Sequence, residues 1–249
     1  MSNPIINVNA LKELIKKATL NNTIPNVQLI FTADRMKAKM KGPDHKVVLF
    51  IDTPNDVITN MVDEIEFNFE EPYASVIPFL NLTDAEEVPI SIDDKKMVMK
   101  SGRQSNKIFF TSSRFVSVCD SKEPNMDVFY EMNINEYLME TFGKIKKIAA
   151  KYGKIYFLVE NGKFIVETTD RLNTYSNGIK FEIDAIEKEN LVMCYDFKNF
   201  NNLLSVISGR EEEFTAKFSY ISQSKAGMIE FMKNDNSEKY YLITMIEER

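Results

Sequence analysis

The stretch NINEYLMETFGKIKKIAAKYGKIYFLVENGKFIVET, residues 133–168, decides how the chain is read. Its first half is an amphipathic helix. Ile134, Leu138, Thr141, Phe142, Ile145, Ile148, Ala149 and Tyr152 recur at three- and four-residue steps on one face. Asn133 or Asn135 is placed to cap its start and Gly153 to stop it. Lys144, Lys147 and Lys151 fall together on the opposite face. Two alternating runs follow around Asn161-Gly162, a dipeptide suited to a two-residue hairpin turn because both residues tolerate positive φ. The unit is thus a helix with a lysine ridge, packed on antiparallel sheet.

Similar signals precede and follow it. Residues 7–21 predict a helix with Leu11, Leu14, Ile15 and Ala18 inward and Lys12, Lys16 and Lys17 off that stripe. Strands are expected at Val27–Phe31, in ADRMKAKMK and KVVLFID, and at Asp63–Phe69. A short helix is expected over residues 72–82, begun by Pro72 and shortened or kinked by Pro78. VPISIDD, KKMVMKS and NKIFFTSSRFVSV read as three strands. The polar residues 119–127 read as a linker. Beyond the helix–hairpin unit come strands at Asn173–Ile183 and Leu191–Tyr195 and a helix in FKNFNNLLSVISG, capped by Asp196 and stopped by Gly209. Three closing strands complete the chain.

An offset of 127 residues superposes the halves: Leu11, Ile15 and Ala18 fall on Leu138, Phe142 and Ile145, and Tyr73, Val76, Ile77 and Leu80 on Phe200, Leu203, Leu204 and Ile207. The expected organisation is a duplicated α+β domain, residues 1–118 and 128–249 joined by 119–127, each with two helices on one side of antiparallel sheet.

Composition narrows the function. The chain has 249 residues, 44% of them hydrophobic, and a net charge of −6. An acidic total argues against a general basic coat for nucleic acid but leaves room for a local basic surface. Nothing resembles a membrane span or a signal peptide, so a soluble cytoplasmic protein without membrane contact is expected. Cys119 and Cys194 match no metal pattern and read as small core residues in a reducing compartment. The single histidine, His45, sits in a turn, and the acidic pairs Glu86-Glu87 and Asp93-Asp94 and the run 211–213 fall in loops. No phosphate-binding glycine loop, zinc motif or nucleophile elbow is present. No catalytic residue, metal ligand or cofactor is therefore assigned, and an enzyme would need a carboxylate site made only by folding.

With the duplicated unit in hand, the chain resembles the DNA polymerase sliding clamps, the tailed-phage clamps first and proliferating cell nuclear antigen more remotely. The residues that carry the likeness are CYDFKNFNNLLSVISGREEEFTAKFSYISQSKAGMIEFMKNDNSEKYYLITMI, echoed in the first half by FLNLTDAEEVPISIDDKKMVMK. The resemblance implies a ring of head-to-tail subunits, helices inside and sheets outside, that encircles duplex DNA without reading its sequence and tethers a DNA polymerase. With two domains per chain the ring is a homotrimer, opened by a separate ATP-driven clamp loader. It also implies that Lys12, Lys16, Lys17, Lys144, Lys147 and Lys151, with Lys198 and Arg210, face DNA. The ring would be joined by Lys107–Val118 of one subunit pairing with Asn173–Ile183 of the next. A pocket for partner peptides is implied among Val118, Met126, Val128, Tyr130, Leu242, Met245 and Ile246. The residues themselves leave open a clamp-like adaptor that works as a monomer or heteromer. They also leave the bland reading of the helix lysines, that cations late in a helix offset its dipole.

Overall fold

The computed structural model describes residues 3–119, 122–123, 127–173 and 175–245. The chain divides into two compact units, Met1–Asp44 with Val48–Ser121, and His45–Val47 with Lys122–Arg249.

The first unit contains β1 (Ile5–Asn7), α1 (Val8–Ala18), β2 (Asn26–Phe31), β3 (Arg35–Lys41), β4 (Val47–Pro54), β5 (Ile58–Thr59), β6 (Ile65–Glu70), α2 (Pro72–Ser75), α3 (Ile77–Asn81), β7 (Glu87–Ile92), β8 (Lys96–Ser101) and β9 (Gln104–Phe109). The second contains β10 (Val128–Asn133), α4 (Glu136–Tyr152), β11 (Lys154–Glu160), β12 (Lys163–Thr168), β13 (Ile179–Ala185), β14 (Leu191–Asp196), α5 (Phe197–Ile207), β15 (Phe214–Ile221), β16 (Ala226–Lys233) and β17 (Glu238–Ile243). The strand pairings within each unit are antiparallel among the described residues.

The repeat is visible in the pairing order. In the first unit β1-β7-β8-β9 forms one sheet, with β5 added beside β1, and β4-β3-β2-β6 forms the other run. In the second, β10-β15-β16-β17 and β13-β12-β11-β14 repeat both orders. The helices occupy corresponding places: α1 touches α3, and α4 packs on α5 and against β11 and β12. Buried aromatic rings fill the second unit, with Phe142 edge-on to Phe200 at 5.1 Å and Phe157 and Phe164 at 5.1 and 4.9 Å from Phe218. Rings of this size supply much of the apolar burial that holds sheet and helix together.

Local chemistry sets the element boundaries. Asn135 caps α4 by accepting from the Leu138 N–H at 2.9 Å, and Gly153 ends it at φ 69°. Asp196 caps α5 in the same way through the Asn199 N–H, at 2.8 Å. Asn161 and Gly162 both have positive φ between β11 and β12, as a tight hairpin demands. The helix expected over 72–82 breaks at Val76 into α2 and α3, each with a proline in its first turn, because Pro78 has no N–H to continue the earlier helix. Helix α1 stops sooner than expected, at Ala18, where Leu20, Asn21 and Asn22 all turn left-handed.

Two strand expectations need correction. The strand predicted to run to Val118 ends at Phe109. Phe110 instead stacks on Phe67 at 5.2 Å, Thr111 bonds the Asn68 carbonyl, and a 3-10 turn follows at Ser113–Phe115. Val118 returns only as a single bridge to Met40. The strand predicted from Asn173 begins at Ile179, because Asp170 and Asn173 side chains hold the preceding residues in turns. The short strands β1 and β5 carried no readable signal.

Candidate functional site

Helix α4 presents a ridge of exposed cations. Its buried face is Leu138, Thr141, Phe142, Ile145 and Ala149. Steps of three and four residues therefore place Lys144, Lys147 and Lys151 outward, and all three are exposed, as is Lys146. Their ties are weak: Lys144 lies 4.0 Å from Glu140 with both side chains 62% exposed, and Lys151 lies over the Tyr152 ring at 5.3 Å. On α1, Lys12, Lys16 and Lys17 are half-buried beside the face formed by Leu11, Leu14 and Ile15, with Lys16 3.8 Å from Glu13. Lys198 is exposed on α5.

Arg210 is placed differently. Its Nη1 and Nη2 donate to the two carboxylate oxygens of Glu238 at 2.8 and 3.1 Å, and Nη2 also reaches the Val206 carbonyl. Glu238 is 1% exposed and also accepts from the Tyr240 hydroxyl at 2.8 Å. Burial alone would lower the Arg210 pKa, but the hydrogen bond and charge of Glu238 outweigh it and raise it. Burial also pushes the Tyr240 hydroxyl well up, with Glu238 adding to it. Arg210 thus closes a buried charge cluster at the start of β17.

The second unit has a cleft of about 720 Å³. Leu158, Leu191, Cys194 and Met245 supply apolar lining, Leu172 and Val192 form an exposed lip, and Glu160, Arg171 and Lys225 carry its charges. Met245 covers the buried group Tyr156, Leu158, Ile165 and Cys194, and its N–H donates to the Cys194 carbonyl at 2.8 Å. Thr244 is pinned to Gly227 by bonds in both directions, 3.0 and 2.9 Å. A side chain at Gly227 would meet Met193 at 2.8 Å and Thr244 at 3.0 Å, so glycine lets these two side chains pack against β16 without shifting. Arg171 is held by Glu167 at 2.7 Å and lies over the Tyr156 ring. The cleft can hold a few apolar side chains of a ligand in a fixed frame.

Of the residues expected to form a peptide pocket, Met245 lines this cleft. Leu242 is buried in β17 and Val128 is exposed on β10, and neither lines the cleft. Val118 lies in the first unit, bridged to Met40. Met126 and Ile246 lie outside the described residues. Tyr130 lines a separate hollow of about 210 Å³ with Met132, Tyr137, Leu138, Thr141, Phe181 and Ile183. There its hydroxyl donates to Asp184 at 3.2 Å, and burial followed by the Asp184 charge pushes its pKa up to about 12. The cleft residues missed from sequence left one usable signal, an apolar Leu172 inside the otherwise polar loop 169–178.

Among the described residues no group of three His, Cys, Asp or Glu is arranged to hold a metal, and no helix is long and apolar enough to cross a membrane.

The fold is shared with known proteins. Over 100% of both chains it matches A. fulgidus PCNA, solved with the C-terminal region of FEN-1, at a TM-score of 0.66 and 14% identity. It matches PCNA from Thermococcus kodakaraensis at 0.65 and 12% identity, over 97% of this chain and 99% of that one. The beta chain of DNA polymerase III from Streptococcus pneumoniae matches at 0.66 and 11% identity, but this chain, matched over its whole length, spans only 66% of it. No protein-family model matches the sequence, and no curated protein matches it either. At these identities the chain has the fold of the PCNA and beta-chain sliding clamps, and the likeness extends to the fold alone.

Proposed function

We propose that the chain is a subunit of a DNA sliding clamp, a non-enzymatic processivity factor of the phage type. Three copies close head to tail around duplex DNA, and the ring tethers a replicative polymerase after a separate ATP-driven loader has opened and closed it. The observation that carries this reading is the exposed, weakly paired ridge Lys144, Lys147 and Lys151 in a chain of net charge −6 that has a clamp fold. Loose phosphate contacts of this kind bind without reading bases and allow sliding. Lys12, Lys16, Lys17 and Lys198 belong to the same lining in this proposal.

Changing Lys144, Lys147 and Lys151 together to Glu is the direct test. The side chains are solvated, so the circular dichroism spectrum and melting profile should match the parent. Processive synthesis on a primed circular template should fall on the order of tenfold or more, and added salt should weaken the parent in the same direction. Equal product lengths for parent and variant would remove these lysines from the DNA path.

For ring closure we infer β9 of one subunit against β13 of the next. Each is the last strand of its sheet, hydrogen-bonded on one side only among the described residues. Open edges of this kind accept a partner strand. Beside β9 stand Phe109 and Leu82, 68% and 62% exposed. Beside β13 lies the hollow where Tyr137, Leu138 and Phe181 stand with Asn133, Asn135 and Glu182. A contact between two different surfaces repeats around an axis and closes only if its rotation fits.

Partner peptides are assigned to the cleft at Met245. A short polymerase tail would bury one or two apolar anchors against Leu158 and Met245, with Leu172 and Val192 as the lip. Methionine repacks readily around different anchors. Met245→Ala and, separately, Leu172→Asp should each cost about 2 kcal/mol of binding to a C-terminal peptide of the cognate polymerase in calorimetry. Parent-like affinity in both would place the peptide elsewhere, and it would leave the DNA and ring proposals standing.

A further inference from the structure

Strand β3 carries a second row of cations. In RMKAKMK, Met36, Ala38 and Met40 are buried, while Arg35, Lys37 and Lys39 are exposed and Lys41 half-buried on the opposite face. Side chains on one face of a strand repeat about every 6.8 Å, so the row is straight and regular. Arg35 is satisfied by Asp52 at 2.8 Å. Lys37, Lys39 and Lys41 make no ion pair among the described residues. Their neighbours across the sheet do little to neutralise them. Lys37 lies between Ile30 and the Asp52 already held by Arg35, Lys39 lies over the Phe50 ring at 5.5 Å, and Lys41 lies opposite Val48.

The repeat supplies an internal comparison. The corresponding sheet of the second unit also carries cations, and there they are matched. Lys163 bonds Glu182 at 2.6 Å and Lys180 bonds Glu160 and Glu167 at 3.1 and 3.4 Å, while Arg171, in the loop after β12, bonds Glu167 at 2.7 Å. The architecture therefore does not require an uncompensated row. Like charges held in line on a flat face raise the local potential, and an acidic chain gains nothing in solubility from them.

We propose that the β3 face docks an extended acidic peptide segment whose carboxylates alternate at the two-residue period of Lys37, Lys39 and Lys41. An extended chain repeats its own same-face side chains at that distance, so three charge pairs form without strain. The strand has no open edge along this row: β4 bonds one side, and on the other β2 bonds Met36 and Lys37 while residues 117–119 bond Lys39 and Lys41, so the contact is made by side chains and not by strand addition. A single nucleic-acid strand fits less well. Such strands are held by aromatic faces beside a basic track, whereas Phe50, the aromatic under this row, is only 8% exposed.

The test uses the full chain and a fluorescein-labelled peptide of six Glu-Ser repeats, followed by anisotropy at low ionic strength. Saturable binding is expected, weakening as salt rises. The variant Lys37→Glu/Lys39→Glu/Lys41→Glu should bind on the order of tenfold more weakly, as loss of three exposed pairs implies. The variant with arginine at the same three positions should bind like the parent. Unaltered secondary structure in both variants separates this from misfolding. The proposal fails if the peptide does not bind, or if the glutamate variant holds it as tightly as the parent, which would place it on α4 or elsewhere. It also fails if a thymidine oligonucleotide of matched charge binds the row more tightly than the peptide. None of these outcomes depends on ring formation, so the clamp reading stands or falls separately.

Discussion

Replacing Phe109 with aspartate is expected to turn the proposed trimer into monomers. Phe109 closes β9 at the free edge of its sheet and is 68% exposed in the isolated chain, so its loss removes little from the subunit's own core. Its partner across β8 is Lys96, which tolerates a carboxylate opposite it. In the proposed ring the same side chain packs beside Tyr137 and Phe181, where an aspartate would lose its water next to the Glu182 carboxylate that also lines the hollow. A buried aromatic anchor of this kind is worth about 2–4 kcal/mol, so each of the three identical contacts should weaken on the order of a hundredfold. Light scattering across a dilution series is the measurement. The parent should stay trimeric at micromolar concentration, and the variant should have the mass of one chain with an unchanged melting profile. A parent that is itself monomeric at high micromolar concentration would sink the ring and favour a clamp-like adaptor. A variant that remains trimeric would move the interface away from β9.

What could be read from the sequence followed from how local each signal is. The α4–β11–β12 unit was legible because every instruction lies within a few residues: the cap at Asn135, the stop at Gly153, the apolar period and the Asn161-Gly162 turn. The break at Val76 was anticipated for the same reason, since proline acts on its own turn. The duplication could be sensed from one constant offset, and the two matching strand orders bear it out as a topology. Where the chain's course depends on distant partners, the sequence misled. Alternation carried the last strand of the first half on to Val118, but Phe110 is drawn off by Phe67 and Phe69, which are some forty residues away in sequence.

The site was less legible than the fold. The outward placement of the α4 lysines was legible because helical periodicity alone fixes which face they occupy. The cleft at Met245 is assembled from β11, β14, the end of β15, three loops and the residues after β17, and none of those segments announces it. Leu158 and Cys194 read as ordinary core strand residues, and so they are on their buried side. Only the packing of Met245 across them makes one edge of the core a cleft wall.

Arg210 shows how a free-looking cation is reassigned, and it leads to the largest expected change in stability. From sequence it stood beside Lys198 as a basic residue near a helix end. In the fold its guanidinium forms a two-pronged pair with Glu238, which is 1% exposed and also serves the Tyr240 hydroxyl. Arg210→Met should therefore destabilise the second unit by about 3–5 kcal/mol, because it takes the paired guanidinium away from a buried carboxylate. The loss should appear as a lower urea midpoint in far-ultraviolet circular dichroism. Adding Glu238→Met removes the orphaned charge and replaces the pair with packed side chains, so the double variant should recover much of the loss even though Tyr240 gives up an acceptor. Processive synthesis separates this role from a DNA contact. If Arg210 acts only through Glu238, the stabilised double variant should support synthesis like the parent, while the single variant fails in proportion to its unfolding. A double variant that is stable yet defective on DNA would return Arg210 to the DNA-facing set with Lys144, Lys147 and Lys151.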